Sequence, residues 1–395
     1  DQDVEPTHVI ENALDVLAQQ IVAMVAVEPW PVRALFDLVR RARGYHALSK
    51  RTFHAVLDML SGAYFFDDAS GKGAAALRPK IAWDKSRDEL VALPGTRLLA
   101  MSNAGTISDR GQYTAWLADG KTKLGELDEE FVFETRPGDT FLLGSNVWRV
   151  TEIRDDRIVV SEAPGATPRM PFWRGEYAHR PYELGVRIGR FRRAVVERLA
   201  TDPAGVQAWL RTDYHLDARS AWNLVAHVQQ QLDAIGALAT DSTLIVEAFE
   251  NDVGDPHVCV HSPFGGRVNG AWALALRDLL RERLGVTPEM QVGDDGILFR
   301  FAGDQRGQAV DLATALTPDA ARERLLRDLP DSAAFGAQFR MNAARALLLT
   351  KPGGVKRTPF WMQRMRAKDL LARVSGMGDF PVVVETYRDC LRDVF

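Results

Sequence analysis

Apolar residues in the first sixty positions recur at helical spacing, whereas from 96 to 165 they gather into short runs of β-branched and aromatic residues. A chain that changes period in this way must build separate layers around separate cores, which excludes an all-helical or all-β fold. In ALDVLAQQIVAMV the residues Leu14, Leu17, Ile21 and Met24 form one apolar stripe, and Pro29 and Pro31, bracketing Trp30, end that helix. VRALFDLVRRAR predicts a second helix stopped by Gly44, and SKRTFHAVLDMLSG a third, with Ser49 as N-cap and Gly62 closing it. Two extended stretches follow, ALRPKIAWD and DELVALPG. Three helices and a two-stranded wing predict a winged helix over 1–95.

The segment 96–165 reads as five strands, RLLAMSN, YTAWLAD, KTKLGELDEEFVFET, DTFLLGSNVWRVTEI and DRIVVSEAP, separated by turn signals such as ADG and RPGD. Their spacing predicts a small antiparallel barrel or a strongly twisted sheet. Helices return over 182–236. STLIVEAFEND and PHVCVHSPFGGRVN read as strands, AWALALRDLLRERLG as a helix, EMQVGDDGILFRFAG as a hairpin turning on Asp-Asp-Gly, and 310–395 as helical. The expected fold class is therefore α+β: a winged helix followed by one large composite domain, 96–395, with a β-barrel-like part over 96–181, a helical part over 182–240 and a mixed α/β and helical part over 241–395.

A length of 395 residues with 46% hydrophobic content supports about two or three domains. The balance of 49 Lys and Arg against 53 Asp and Glu excludes a uniformly basic nucleic-acid coat or a polybasic membrane anchor. Cys259 and Cys390 stand far apart without metal-ligand spacing, so neither a disulfide framework nor a zinc site is expected. No apolar run approaches the ~20 residues of a membrane helix, and the sequence carries no GxxxxGK[ST] phosphate loop and no HExxH motif. The expectation is a cytoplasmic protein with no membrane partner, no metal and no cofactor of its own.

The near-neutral total hides segregation. Six basic residues face only Asp37 between 31 and 51, seven arginines face Glu176 and Glu183 between 169 and 193, and nine basic residues, Arg340 and Arg345 among them, face only Asp369 between 339 and 373. Each cluster alone reads as a solvated helix face, but together they fit a positive channel for a phosphate backbone. In PRMPFWRGEYAHRP, the rings of Phe172, Trp173, Tyr177 and His179 alternate with Arg169, Arg174 and Arg180 on a segment too broken for regular structure. Trp173 either plugs the β-rich part as core or stacks on an unpaired base, a contact of ~1–3 kcal/mol that tolerates any sequence. In SNAGTISDRG, Ile107 sits on a glycine-flanked turn beside Arg110, an ordinary exposed isoleucine or a wedge against a base. HSPFGGRVNG sets two glycines and Arg267 before a helix, which reads first as a strand-to-helix turn and second as an anion site. Glu126, Asp128 and Glu130 alternate along one strand and read as a solvent-facing or partner-facing acidic face rather than a metal site. No Ser/His/Asp or Cys/His arrangement is expected.

Several of these segments, in this order, resemble the second half of the helicase core of the Lhr, or large helicase-related, family: LDVLAQQIVA, FHAVLDMLSG, GELDEEFVFETRPGD, LGSNVWRV, APGATPRMPFWRGE, RPYELG, HSPFGGRVN and FPVVVETYRDCLRDVF. The resemblance covers nearly the whole chain. It implies superfamily 2, ATP-dependent 3′-to-5′ translocation on DNA and a connection with DNA repair. The family core consists of two RecA-like motor domains, a winged helix and a family-specific domain. This chain starts at the winged helix, so ATP and Mg2+ would belong to motor domains outside it, whether the chain is a fragment or a separate subunit. Single-stranded DNA or an RNA:DNA hybrid and the RecA-like motor domains are the implied partners. The resemblance also makes Trp173 and Ile107 base-contacting residues, with Phe172 beside Trp173, Arg110, Arg174 and Arg180 near phosphates, and Arg267, Arg340 and Arg345 as further nucleic-acid contacts. The family usually has proline where this chain has Ser108. The competing expectation is a protein-interaction scaffold that recruits repair partners through the winged helix and the acidic strand.

Overall fold

The computed structural model describes residues 9–65, 75–107, 112–128, 131–132, 135–154, 157–166, 168, 179–252, 254–350 and 360–394. They form a mixed α+β structure divided into two compact units, one spanning 8–177 with 333–391 and the other built on 178–332.

The first unit begins with α1 (Leu14–Val25), α2 (Val32–Val39) and α3 (Lys50–Leu60). Ser49 caps α3 as expected, its hydroxyl accepting from the Thr52 amide at 3.0 Å. Gly62 follows the helix at φ 86°, the left-handed conformation that glycine adopts without a Cβ penalty. The two extended stretches form β2 (Ile81–Asp84) and β3 (Glu89–Ala92), and a third strand, β1 (Trp30–Pro31), pairs with the outer side of β3 in the order β1-β3-β2. The prolines that end α1 also hold this short strand extended. Pro31 lacks an amide hydrogen, and the next residue, Val32, donates to Asp88 O at 2.9 Å.

Beyond β3, RLLAMSN is the helix α4 (Thr96–Ser102) and not a strand. Gly95 at φ 92° turns the chain, and the Thr96 hydroxyl accepts from Leu93 N at 2.9 Å while donating to Lys80 O at 2.7 Å. DTFLLGSNVWRVTEI makes two strands rather than one, turning at Gly144, whose φ is 66°. The resulting sheet contains β4 (Gln112–Leu117), β5 (Lys123–Asp128), β6 (Thr140–Leu143), β7 (Asn146–Ile153) and β8 (Arg157–Glu162) in the order β5-β4-β8-β7-β6. The pairing of β4 with β8 is parallel, and β5 and β6 are edges among the described residues, so of the two expected forms, an antiparallel barrel or a twisted sheet, the segment takes that of an open sheet, with mixed pairing. Alternation along single strands sets the buried face but not the neighbour, and a parallel neighbour comes from a strand far along the chain.

The unit is completed by α11 (Ala333–Arg345), α12 (Phe360–Val374) and α13 (Pro381–Asp389), numbered after the helices of the second unit. Phe339, Ala343, Leu347, Leu370, Val374, Phe380 and Val382 join Leu17, Ile21, Leu35, Phe53 and Leu57 in one core. Among them lies Glu385, only 1% exposed, which accepts from Leu14 N at 3.0 Å and from Arg388 Nη1 at 3.0 Å.

In the second unit α5 (Tyr182–Thr201), α6 (Val206–Asp213) and α7 (Ala218–Ile235) share a small core around Val195, Leu210 and Ala221. An antiparallel sheet follows, β9 (Ile245–Glu250), β10 (Pro256–His261), β11 (Glu289–Gly293) and β12 (Gly296–Arg300), in the order β11-β12-β10-β9. Helices α8 (Gly266–Leu284), α9 (Arg306–Ala315) and α10 (Pro318–Asp328) accompany it, with α8 and α9 contributing Ala273, Leu276, Ala309 and Ala313 to the core that Val258, Val260, Ile297 and Phe299 begin. Helix α5 approaches its neighbours through two glycines one turn apart. A Cβ on Gly185 would lie 2.5 Å from Pro263 O, and one on Gly189 would lie 2.3 Å from Asp241 N.

Two outcomes follow. Gly189→Ala must displace backbone and is expected to destabilise the second unit by about 1–3 kcal/mol, seen as a lower thermal midpoint. Burial raises the Glu385 carboxyl from 4.5 to about 7, against the opposing Leu14 amide and Arg388. Between these values the folded chain holds a proton that the unfolded chain has released, so stability falls as pH rises through that window. Glu385→Gln should flatten this fall, measured as the difference in urea midpoint between the two ends of the window.

Candidate nucleic-acid interface

The feature of the first unit that could receive a strand is a groove. One wall is the loop that leaves α4, with Asn103, Gly105 and Ile107, and the other is α11 and α12, with Arg340, Arg345, Gln363 and Arg366. Ile107 is 96% exposed, so it contributes almost nothing to any core and stands free at the rim. The loop beneath it is nevertheless tied down. Asn103 closes α4 through its backbone and side-chain amides, both donating to Leu99 O at 3.2 Å, and Gly105 takes φ 103°. Across the groove, the turn that follows α11 puts Leu347 at φ 61°, a left-handed position filled by leucine instead of glycine, and the amides of Leu348 and Leu349 turn back to Ala343 O at 2.9 and 3.1 Å. No glycine marks this stop, so the sequence carries no sign of it.

The arginines differ in their freedom. Arg345 donates from Nε to Asp15 and from Nη2 to Asn342 Oδ1, and lies 3.6 Å from Asp389. Its charge is therefore largely answered within the protein. Arg340 lines the groove although only 7% exposed. Arg366 is exposed and has no ion-pair partner among the described residues, which makes it the least committed cation of the three. Nothing in the basic run 339–373 marks it out locally; its place in one groove with Arg340 depends on how α11 and α12 pack.

The second unit places its expected residues differently. Arg180 is engaged: Nη1 donates to Asp295 Oδ1 at 2.8 Å and to Pro263 O at 3.2 Å, and Nη2 to Asp295 Oδ2 at 3.1 Å. This pairing holds the Asp295 carboxyl below the usual carboxylate range and the guanidinium above its own. Arg267 is exposed in the first turn of α8. The anion position at that helix start is already filled by the protein, because Asp294 Oδ1 accepts from Gly266 N at 2.8 Å and from Arg180 N at 3.1 Å. On the sheet, register brings Cys259 opposite Glu247, and His261 Nε2 lies 2.9 Å from Glu247 Oε2. Cys259 and His261 share one face of β10, and strand pairing adds Glu247 to them. Hydrogen bonds to Cys259 and Glu247 raise His261 to about 9, so the ring is a charged clasp between β9 and β10 rather than a base at neutral pH.

Ile107, Arg340 and Arg345 are thus brought together in one groove. Arg180 and Arg267 belong to the other unit, and Trp173, Phe172, Arg174 and Arg110, with Ser108 and Glu130, lie outside the described residues. Among the described residues there is no cluster of three or more His, Cys, Asp or Glu able to hold a metal, and no helix long and apolar enough to cross a membrane.

Residues 1–170 match the family model of the large helicase-related protein winged helix domain, and 238–395 match that of the DEAD/H associated domain. The chain belongs to the Lhr family. It is 41% identical over 400 residues to the Lhr helicase/probable uracil glycosylase of Mycolicibacterium smegmatis, covering 100% of this chain and 26% of that protein. Against the ATP-dependent helicase Lhr-Core of Saccharolobus solfataricus it is 26% identical, covering 100% of this chain and 45% of the relative. The structure of Mycobacterium smegmatis helicase Lhr bound to ssDNA and AMP-PNP superposes with a TM-score of 0.72 at 35% identity, over 100% of this chain and 44% of that one. The present Lhr chain therefore spans less than half the length of each of these relatives.

Proposed function

We propose that this Lhr chain is the part of an ATP-dependent helicase that holds the single strand, with the groove between the Ile107 loop and α11–α12 as one of its contact surfaces. The observation that carries the proposal is Ile107: a large apolar side chain 96% exposed on a loop fixed by backbone hydrogen bonds, in the same groove as Arg340, Arg345 and Arg366. An exposed isoleucine beside arginines suits a nucleobase face and its phosphate, the apolar group packing on the base and the exposed Arg366 countering the backbone charge. The relative of known structure holding single-stranded DNA supports the same reading. Helices α1 to α3 with β1 to β3 are read as the winged helix, and Trp173, with Phe172, Arg110 and Arg174, as further base and phosphate contacts.

The glycine-rich start of α8 does not fit a phosphate of ATP, because its Gly266 amide is committed to Asp294, a carboxylate where the phosphate would have to sit. In the proposed mechanism ATP-driven stepping occurs in motor domains outside this chain, and the groove keeps hold of the strand between steps so that movement becomes displacement of the complement. Polarity in the 3′-to-5′ sense, a place in DNA repair and action on RNA:DNA hybrids extend this proposal on the strength of the family resemblance.

Fluorescence anisotropy with a short single-stranded oligonucleotide tests it. Binding is expected to be salt-sensitive, Arg366→Ala to reduce the salt slope by about one unit, and Trp173→Ala to weaken binding by ~1–3 kcal/mol. No binding at any salt would favour the scaffold reading.

A further inference from the structure

We propose that Gln19 is a positioning residue of this interface, its side-chain amide acting as an extra peptide unit that sets the loop presenting Ile107 and fixes the opposite wall to it. The proposal rests on the reading of the groove as a strand-contact surface.

Gln19 lies on α1 and is only 5% exposed. A buried amide must find partners for both ends, and those of Gln19 lie on the two walls of the groove. Its Nε2 donates to Gly105 O at 3.0 Å and to Arg345 O at 3.1 Å, with Asn103 O at 3.5 Å, and its Oε1 accepts from Gly105 N at 3.1 Å. Both backbone groups of Gly105 are thus paired with one side chain, the two-way exchange of an antiparallel strand pair. A Cβ on Gly105 would meet nothing within 4 Å, so glycine serves here for its φ of 103° and not for space. The Arg345 carbonyl, at the end of α11, is one of the acceptors that a helix leaves unpaired, and Gln19 satisfies it. One turn earlier on α1, Asp15 takes the Arg345 guanidinium. A single face of α1 therefore positions the backbone and side chain of one wall and the backbone of the other. Ile107, two residues past Gly105 and without packing of its own, inherits its place from that bond pair.

A merely structural glutamine would lower stability and affect binding independently of Ile107. A positioning residue would act through it. The test is a double-mutant cycle on the 395-residue chain, reading single-strand affinity by anisotropy at fixed salt, with the thermal midpoint measured in parallel. Gln19→Ala removes the amide, and Gln19→Met removes it while keeping the length of the side chain, should the alanine variant fold poorly. Each is expected to weaken binding by about 3- to 10-fold, the scale of one lost neutral hydrogen bond. In an Ile107→Ala background the same changes should cost little more, whereas in an Arg366→Ala background they should cost their full factor. If Ile107→Ala binds as tightly as the parent, the contact-surface reading falls and this proposal with it. If Ile107→Ala weakens binding but Gln19→Met does not, or the two losses simply add, the positioning role is overturned and the surface reading stands.

Discussion

Asp15 is 2% exposed on a helix near the start of the chain, and a carboxylate buried to that depth is tolerated only when it is paired. Its partner is Arg345, 330 positions away. This ion pair, with Asn342 and Asp389 completing the shell around the guanidinium, joins the first helices to the last ones. The apolar core of 14–60 continues into Phe339, Leu370 and Phe380, and the polar pair specifies how that continuation is aligned. Removing Arg345 would strand the buried Asp15, so the register between α1 and α11 is set more sharply than apolar packing alone would set it.

The consequence for the interface is rigidity where a loop would otherwise be free. An isoleucine almost wholly in water gains nothing from folding, so its place must be imposed by its neighbours. Gly105 and Asn103 supply the local bonds, and α1 supplies the rest. The groove is thus built on the same helix that carries the buried pair.

Electrostatics divide the arginines into two kinds. In the second unit, Arg190 and Arg193 face Asp241 at 3.8 and 3.0 Å, and Arg180 and Arg192 face Asp295 at 2.8 and 3.1 Å. A segment that is strongly basic when counted along the chain is therefore largely answered by carboxylates from distant turns. Arg366, from a cluster of the same appearance, has no such partner among the described residues. Counting charge by segment cannot separate these cases, since the compensating acids lie 48 and more positions away.

Local chemistry made much of the fold legible from the sequence. Ser49 and Gly62 bound α3, the Asp-Asp-Gly turn closes β11 onto β12, and the apolar stripe of α1 is buried as its spacing requires, because each of these depends on residues within a few positions of one another. The groups that gave the family resemblance were legible for the same reason, as contiguous motifs. Tertiary structure alone decided that RLLAMSN is helical, that β4 lies parallel to β8, that Cys259 and His261 meet Glu247, and that Arg180 is committed while Arg366 has no ion-pair partner among the described residues. The sequence determined which residues are candidates for the proposed strand-binding surface; the pairing of buried polar groups across hundreds of positions decided which of the described ones stand together.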